Sequence, residues 1–179
     1  MIFIEKFVTD VLQISMKKVK KEVLSKLYLS VFISLLVFID YYSKSLALFN
    51  LSYGQLNETF LPIIDFLLIY NSGIAFGMLD GKSIYVSYLL LILTISISIY
   101  LIWLIYNEVS LKKRIALSLI TGGALGNILD RFTDGQVTDF LHLEILEFSL
   151  FVFNLADLFI TIGAILIIYF EIIYKPKNE

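Results

Sequence analysis

The stretch IYVSYLLLILTISISIYLIWLIY, residues 84–106, decides the class of this chain, because it runs its whole length without a charged residue. A helix that crosses the hydrocarbon core of a bilayer needs about 20 consecutive apolar residues, so this stretch reads as a membrane span. Tyr100, Trp103 and Tyr106 lie at its end, and amphipathic rings prefer the membrane–water interface. Working outward, three further segments approach span length. Residues 27–49 carry Asp40 and Lys44, residues 115–129 are short, and residues 151–174 carry Asp157 and Glu171. The composition agrees. The 179 residues are 59% hydrophobic, with a mean hydropathy of +0.86, against about 45–50% apolar residues in a soluble domain. An all-α membrane protein with four transmembrane helices is expected.

The basic residues orient the spans. Lys6, Lys17, Lys18, Lys20, Lys21 and Lys26 precede the first span, Lys112, Lys113 and Arg114 separate the second from the third, and Lys175 and Lys177 follow the fourth. Basic residues mark the cytoplasmic side, so both termini are expected there, with a 26–175 domain and a 176–179 tail. Lys44, Lys82 and Arg131 fall elsewhere. The first span is too long, and too charged in its second half, for a cleaved signal peptide. Residues 1–25 space Phe3, Phe7, Val8, Val11 and Leu12 on one helical face. They read as a basic, interfacial amphipathic extension, or as a segment ahead of a start at Met16.

Other classes are excluded or disfavoured. A net charge of -2 gives no electrostatic footprint for nucleic acid, and the absence of cysteine removes disulfides and thiolate chemistry. His142 is the single histidine, so neither a His-ligated metal site nor a cofactor is expected. The outer segment 50–83 has strand character at Tyr70, Ile74 and Phe76 around an Asn71-Ser72-Gly73 turn. In the second outer segment, 130–150, the run from Gly135 to Phe140 reads as a turn and a short strand. A small sheet on the membrane surface is expected.

Ionisable groups within a span cost about 2.5–3.5 kcal/mol on insertion scales, so each needs a reason. Asp40 and Lys44 are four apart and share a helix face. Asn127, Asp130 and Arg131 follow the glycine-rich Gly122-Gly-Ala-Leu-Gly126, whose small residues permit close helix packing. Asn154 and Asp157 also share a face, and a helix beginning at residue 151 puts Asp157 about 9 Å along it. A carboxylate at that depth points to function, whereas Asp139, alone, reads as an ordinary loop aspartate. Two carboxylates in one site do not both ionise cheaply, so one keeps a proton while the other activates water. Ser43 and Lys44 are adjacent and diverge on a helix, which disfavours a Ser–Lys pair. A small transporter with a polar path, and a scaffold whose polar residues fix helix register, are the competing readings.

At these residues the chain resembles the lipoprotein signal peptidases (signal peptidase II), bacterial membrane aspartyl proteases. The blocks that carry the resemblance are Asp40-Tyr-Tyr-Ser-Lys44, Asn71-Ser-Gly-Ile-Ala-Phe-Gly77, Gly122-Gly-Ala-Leu-Gly-Asn-Ile-Leu-Asp-Arg131 with Gly135-Gln-Val-Thr-Asp-Phe140, and Phe153-Asn-Leu-Ala-Asp157. The resemblance implies a catalytic dyad of Asp139 and Asp157. It also implies supporting roles for Asp40, Lys44, Asn71, Asn127, Asp130, Arg131 and Asn154. It further implies a β-cradle and a short outer helix beside the four spans, in the bacterial cytoplasmic (inner) membrane, with the site near the outer leaflet. The implied partners are membrane lipid and diacylglyceryl-modified prolipoprotein signal peptides, cut before the lipidated cysteine, with no metal or cofactor and a monomeric enzyme. Thr138, where valine is common, and Leu158, where a small residue is common, depart from the pattern without removing a catalytic group.

Overall fold

The computed structural model describes residues 2–73, 84–146 and 148–173. Helix α1 spans Ile2–Asn50 without interruption. The first fifty residues contain no glycine or proline, so nothing in the chain stops a helix once begun. The expected extension over residues 1–25 is helical and runs without a break into the first apolar segment. Gly54, at a φ of 72°, turns the chain beyond the helix.

The remaining helices are α2 (Ile84–Asn107), α3 (Leu111–Asp134) and α4 (Leu155–Ile168), the last followed by a π-helical turn over Tyr169–Ile173. Among the described residues, three helices are long and apolar enough to cross a membrane: Ser15–Asn50, Tyr88–Asn107 and Leu155–Ile172. Helix α3, the expected third span, is not among them. It is the interior helix, packed against α1, α2 and α4, and its buried face includes Arg114, Ser118, Thr121 and Asn127. The Ser118 and Thr121 hydroxyls donate to carbonyls one turn back, which satisfies them within the helix. By contrast Leu35 and Phe38 on α1, Leu89 and Ile92 on α2, and Ile165 and Ile168 on α4 point outward, as suits an apolar surround.

Glycine is what lets α3 approach its neighbours. A Cβ at Gly122 would lie 2.8 Å from Leu36, one at Gly123 would lie 2.2 Å from the Ala156 carbonyl oxygen, and one at Gly126 would lie 2.5 Å from Asp40 Oδ2. None of these positions has room for a side chain.

Four strands form one antiparallel sheet in the order β1 (Leu56–Asn57), β2 (Ile64–Asn71), β3 (Val137–Ile145) and β4 (Phe148–Phe153). The expected surface sheet is thus present. Ile74 and Phe76 lie outside the described residues, and the implied short outer helix is not among them. One boundary is corrected. The segment 151–174 was expected to be helical throughout, yet Phe151 and Phe153 belong to β4, paired with Leu143 and Leu141. Aromatic and β-branched residues suit a half-buried pleated surface, and helix α4 starts only after Asn154 caps it. Asp157 therefore lies in the first turn of the helix, not one to two turns down.

Candidate active site

Helices α1, α3 and α4 meet strands β2 and β3 at a polar knot that holds all nine residues singled out from the sequence. Its fixed end is Lys44. The ammonium has three N–H donors and no acceptor. Asp40 Oδ2 lies at 2.7 Å, Asp130 Oδ2 at 3.0 Å and Asn127 Oδ1 at 3.0 Å. The ammonium thus has two carboxylates and an amide oxygen around it, and it is 3% exposed. The other Asp40 oxygen accepts the Ala156 N–H at 2.8 Å, and Asp130 accepts the Thr138 N–H at 3.0 Å. Lys44 thereby ties α1, α3, the start of β3 and the first turn of α4 together.

That ammonium sets the polarity of the amides beyond it. A donor-only group makes Asn127 present its oxygen to Lys44, which turns Nδ2 toward Asp157 Oδ1 at 2.8 Å. Asn154 is constrained from the other side. As N-cap of α4 it accepts the Asp157 N–H at 3.0 Å through Oδ1, so its Nδ2 faces away from the helix. There it donates to Asp139 Oδ1 at 2.6 Å and to Asn127 Oδ1 at 3.2 Å. The Asn154 N–H donates to Asp157 Oδ2 at 3.3 Å, which completes a capping box. Asp139 Oδ2 accepts Asn71 Nδ2 at 3.0 Å, and Asn71 is itself held by the Gly73 N–H at 2.7 Å. The two aspartates are thus joined through two amides, each with one possible orientation.

Their surroundings differ. Asp139 lies on β3, 1% exposed, and its carboxyl is pushed up to about 6. Burial is the main cause, the charge of Asp157 adds to it, and the bonds from Asn71 and Asn154 and the charge of Lys44 oppose it. Asp157 is half-buried at the N-terminal turn of α4. Arg131 lies within electrostatic reach of Asp157, Asp139 and Asp130, but its buried Nε has no hydrogen-bond partner among the described residues. It faces the pair without being locked to it. The arrangement sets two carboxyls of unequal burial, linked by two amides, within the field of one guanidinium.

Some participants are invisible in side-chain patterns. The Ala156 and Thr138 N–H groups are main-chain donors. Gly126 reads as a packing residue in the sequence, yet it also clears the space that Asp40 occupies. His142 stands apart from the carboxylate pair on the sheet, where Asp65, His142 and Glu144 bring ligand atoms within 4.8 Å of one another. His142 Nε2 is 2.7 Å from Ser149 Oγ, and Nδ1 is 3.9 Å from Glu144. One imidazole and two partly exposed acids suit a cross-strand polar contact.

Comparison with known proteins bears on what this geometry serves. A family described as signal peptidase (SPase) II matches residues 32–173. The lipoprotein signal peptidase of Polynucleobacter necessarius subsp. necessarius is 43% identical over 146 residues, covering 81% of this chain and 88% of that one. That of Pelagibacter ubique is 37% identical over 161 residues, covering 87% and 94%. A bacterial membrane enzyme solved at 1.9 Å by the in meso method superposes with a TM-score of 0.68 at 31% identity, covering 86% of this chain and 94% of that one.

Proposed function

The chain belongs to the signal peptidase II family, and from that membership we propose that it removes signal peptides from diacylglyceryl-modified prolipoproteins, cleaving before the lipidated cysteine with a water activated by Asp139 and Asp157. The observation that carries this reading is the amide relay through Asn127 and Asn154, which holds two carboxyls of unequal environment in one site. Two carboxyls in one site favour keeping a proton on one of them. The ionised carboxylate takes a proton from water as its oxygen bonds to the scissile carbonyl carbon. The protonated carboxyl gives its proton to the carbonyl oxygen. On collapse the C–N bond breaks, the carboxyl that took the water proton gives it to the leaving nitrogen, the other carboxylate takes a proton from the gem-diol hydroxyl, and the dyad returns to its starting state. Arg131 supplies positive charge where oxyanion character develops.

The setting supports the same reading. At 24 residues α3 is about 36 Å long, enough for a fourth crossing beside the three apolar helices. With the basic ends cytoplasmic, the knot lies toward the outer leaflet, where a lipid-anchored bond arrives. A cavity of about 250 Å³, lined by Leu46, Ala47, Leu51, Phe66 and Phe140 among others, suits an apolar part of the substrate. The enzyme acts as a monomer of the bacterial cytoplasmic membrane and needs no metal or cofactor.

The test is cleavage of a diacylglyceryl-modified precursor by the purified protein. Asp139→Asn and Asp157→Asn should each reduce the rate by about 10²–10⁴-fold while the variants stay folded by thermal melting. Normal cleavage by either variant sinks the dyad.

A further inference from the structure

The far end of α3 holds a second buried cation in the opposite situation. Arg114 lies in the first turns of the helix, about 20 Å from Asn127 along its axis. It is 8% exposed, and its Nε and Nη2 are buried with no hydrogen-bond partner among the described residues. The nearby lysines already have counter-charges. Lys26 pairs with Glu22 at 2.9 Å and lies 5.3 Å from the centre of the Tyr106 ring, and Lys113 pairs with Glu171 at 2.6 Å. Among the described residues no carboxylate pairs with Arg114. A buried guanidinium without acceptor or counter-ion is strongly unfavourable, so an acceptor from beyond the described residues would complete the site.

The surroundings say which group fits. Beside Arg114 a cavity of about 210 Å³ opens between α1 and α2, lined by Lys26, Ser30, Ser34, Ile102 and Tyr106 among others. It is smaller than the roughly 300–1,000 Å³ of pockets that enclose a drug-sized ligand. It has room for a headgroup rather than a whole lipid. Leu29 is shared with a larger cavity of about 680 Å³, whose lining is mostly apolar and whose rim carries Lys17, Lys20 and Lys21. Cationic wall and apolar wall thus adjoin on the side where the basic residues gather. A guanidinium fork matches a phosphate in two-point geometry, and acyl chains lie along apolar helix faces. We propose that the Arg114 pocket between α1, α2 and α3 binds the phosphodiester of an anionic bilayer phospholipid, with the acyl chains lying along α1. The site is independent of the cleavage reading.

The experiment uses the full chain purified in a maltoside detergent, which contains no phosphate. Native mass spectrometry and thermal melting follow additions of dioleoylphosphatidylglycerol, of uncharged dioleoylglycerol, and of inorganic phosphate. One phosphatidylglycerol should be retained and should raise the melting temperature, and neither other probe should do so. Arg114→Gln should weaken retention at least tenfold, and Arg114→Lys should weaken it less. Should Arg114→Gln not fold, Ile102→Trp fills the pocket from α2 with Arg114 intact and should likewise lose the lipid. Unchanged retention in either folded variant overturns the proposal. So does equal retention of dioleoylglycerol, which marks apolar adhesion only, or equal stabilisation by inorganic phosphate, which marks a soluble-anion site.

Discussion

Lys44 and Arg114 are both buried cations in the helical bundle, and they are handled in opposite ways. Lys44 has two carboxylates and an amide oxygen within 3.0 Å. Arg114 keeps two nitrogens unpartnered among the described residues. The difference lies in what each end of the bundle must do. Where the chain supplies its own counter-charges, the geometry is determined from within, and a reactive pair can be held to a fraction of an ångström. Where it leaves a charge open, the environment completes the structure.

The contrast is broken most severely at Lys44. Lys44→Met leaves Asp40 and Asp130 buried without their cation, and removing one partner of a buried pair costs about 3–5 kcal/mol. A large fall in melting temperature and loss of cleavage are expected. A variant as stable as the parent would show that Lys44 does not hold the knot.

The next effect is in pH. The Asp139 carboxyl lies at about 6 in the folded chain and near 3.9 when unfolded. Between those values the folded state holds a proton that the unfolded chain has released. Stability therefore falls as pH rises from about 4 to 6 and stays lower above, by up to about 3 kcal/mol. In melting curves across pH, Asp139→Asn should lose that decline. Asp157→Asn removes the like charge that helps raise Asp139, so the decline should move to lower pH. A profile unchanged in both variants counts against the coupled pair.

Gly126→Ala comes third. Its Cβ would lie 2.5 Å from Asp40 Oδ2, so helix or carboxylate must shift, at about 1–3 kcal/mol. Because Asp40 anchors Ala156, the cleavage rate should fall along with the melting temperature. The smallest effect is expected at the other end of α3. In maltoside, Arg114→Gln removes an uncompensated charge and should be neutral or stabilising, since replacing buried ionic groups by less polar ones often is.

How much of the fold and the site is legible in the sequence varies by residue. Helix α2 is plain, because nothing but a membrane span uses such a run. The Asp40–Lys44 pair follows from i,i+4 spacing, but Asn127 and Asp130 as partners of Lys44 come from a distant helix, and spacing carries no such information. Phe151–Phe153 reads as the wrong element because a short apolar run serves a buried strand as well as a span. Pairing with β3 decides it. Asp139 looks ordinary because its burial comes from β2, α3 and α4, not from its own neighbours. Arg114 reads as one of three loop cations, because the apolar pattern sets the N-terminal boundary of α3 too late.

Asn154 has a consequence for how the protein is made. The side chain that begins the last helix also holds the Asp139 carboxylate, and Asp157 lies three residues further on. Both aspartates and the cap that joins them fall within residues 139–157, late in the order of synthesis. A nascent chain still waiting for its final helix has Asp139 without Asp157 and without the Asn154 amide, leaving Asn71 alone to hold it. Under the proposed reading, the pair is complete only once the final helix is in place.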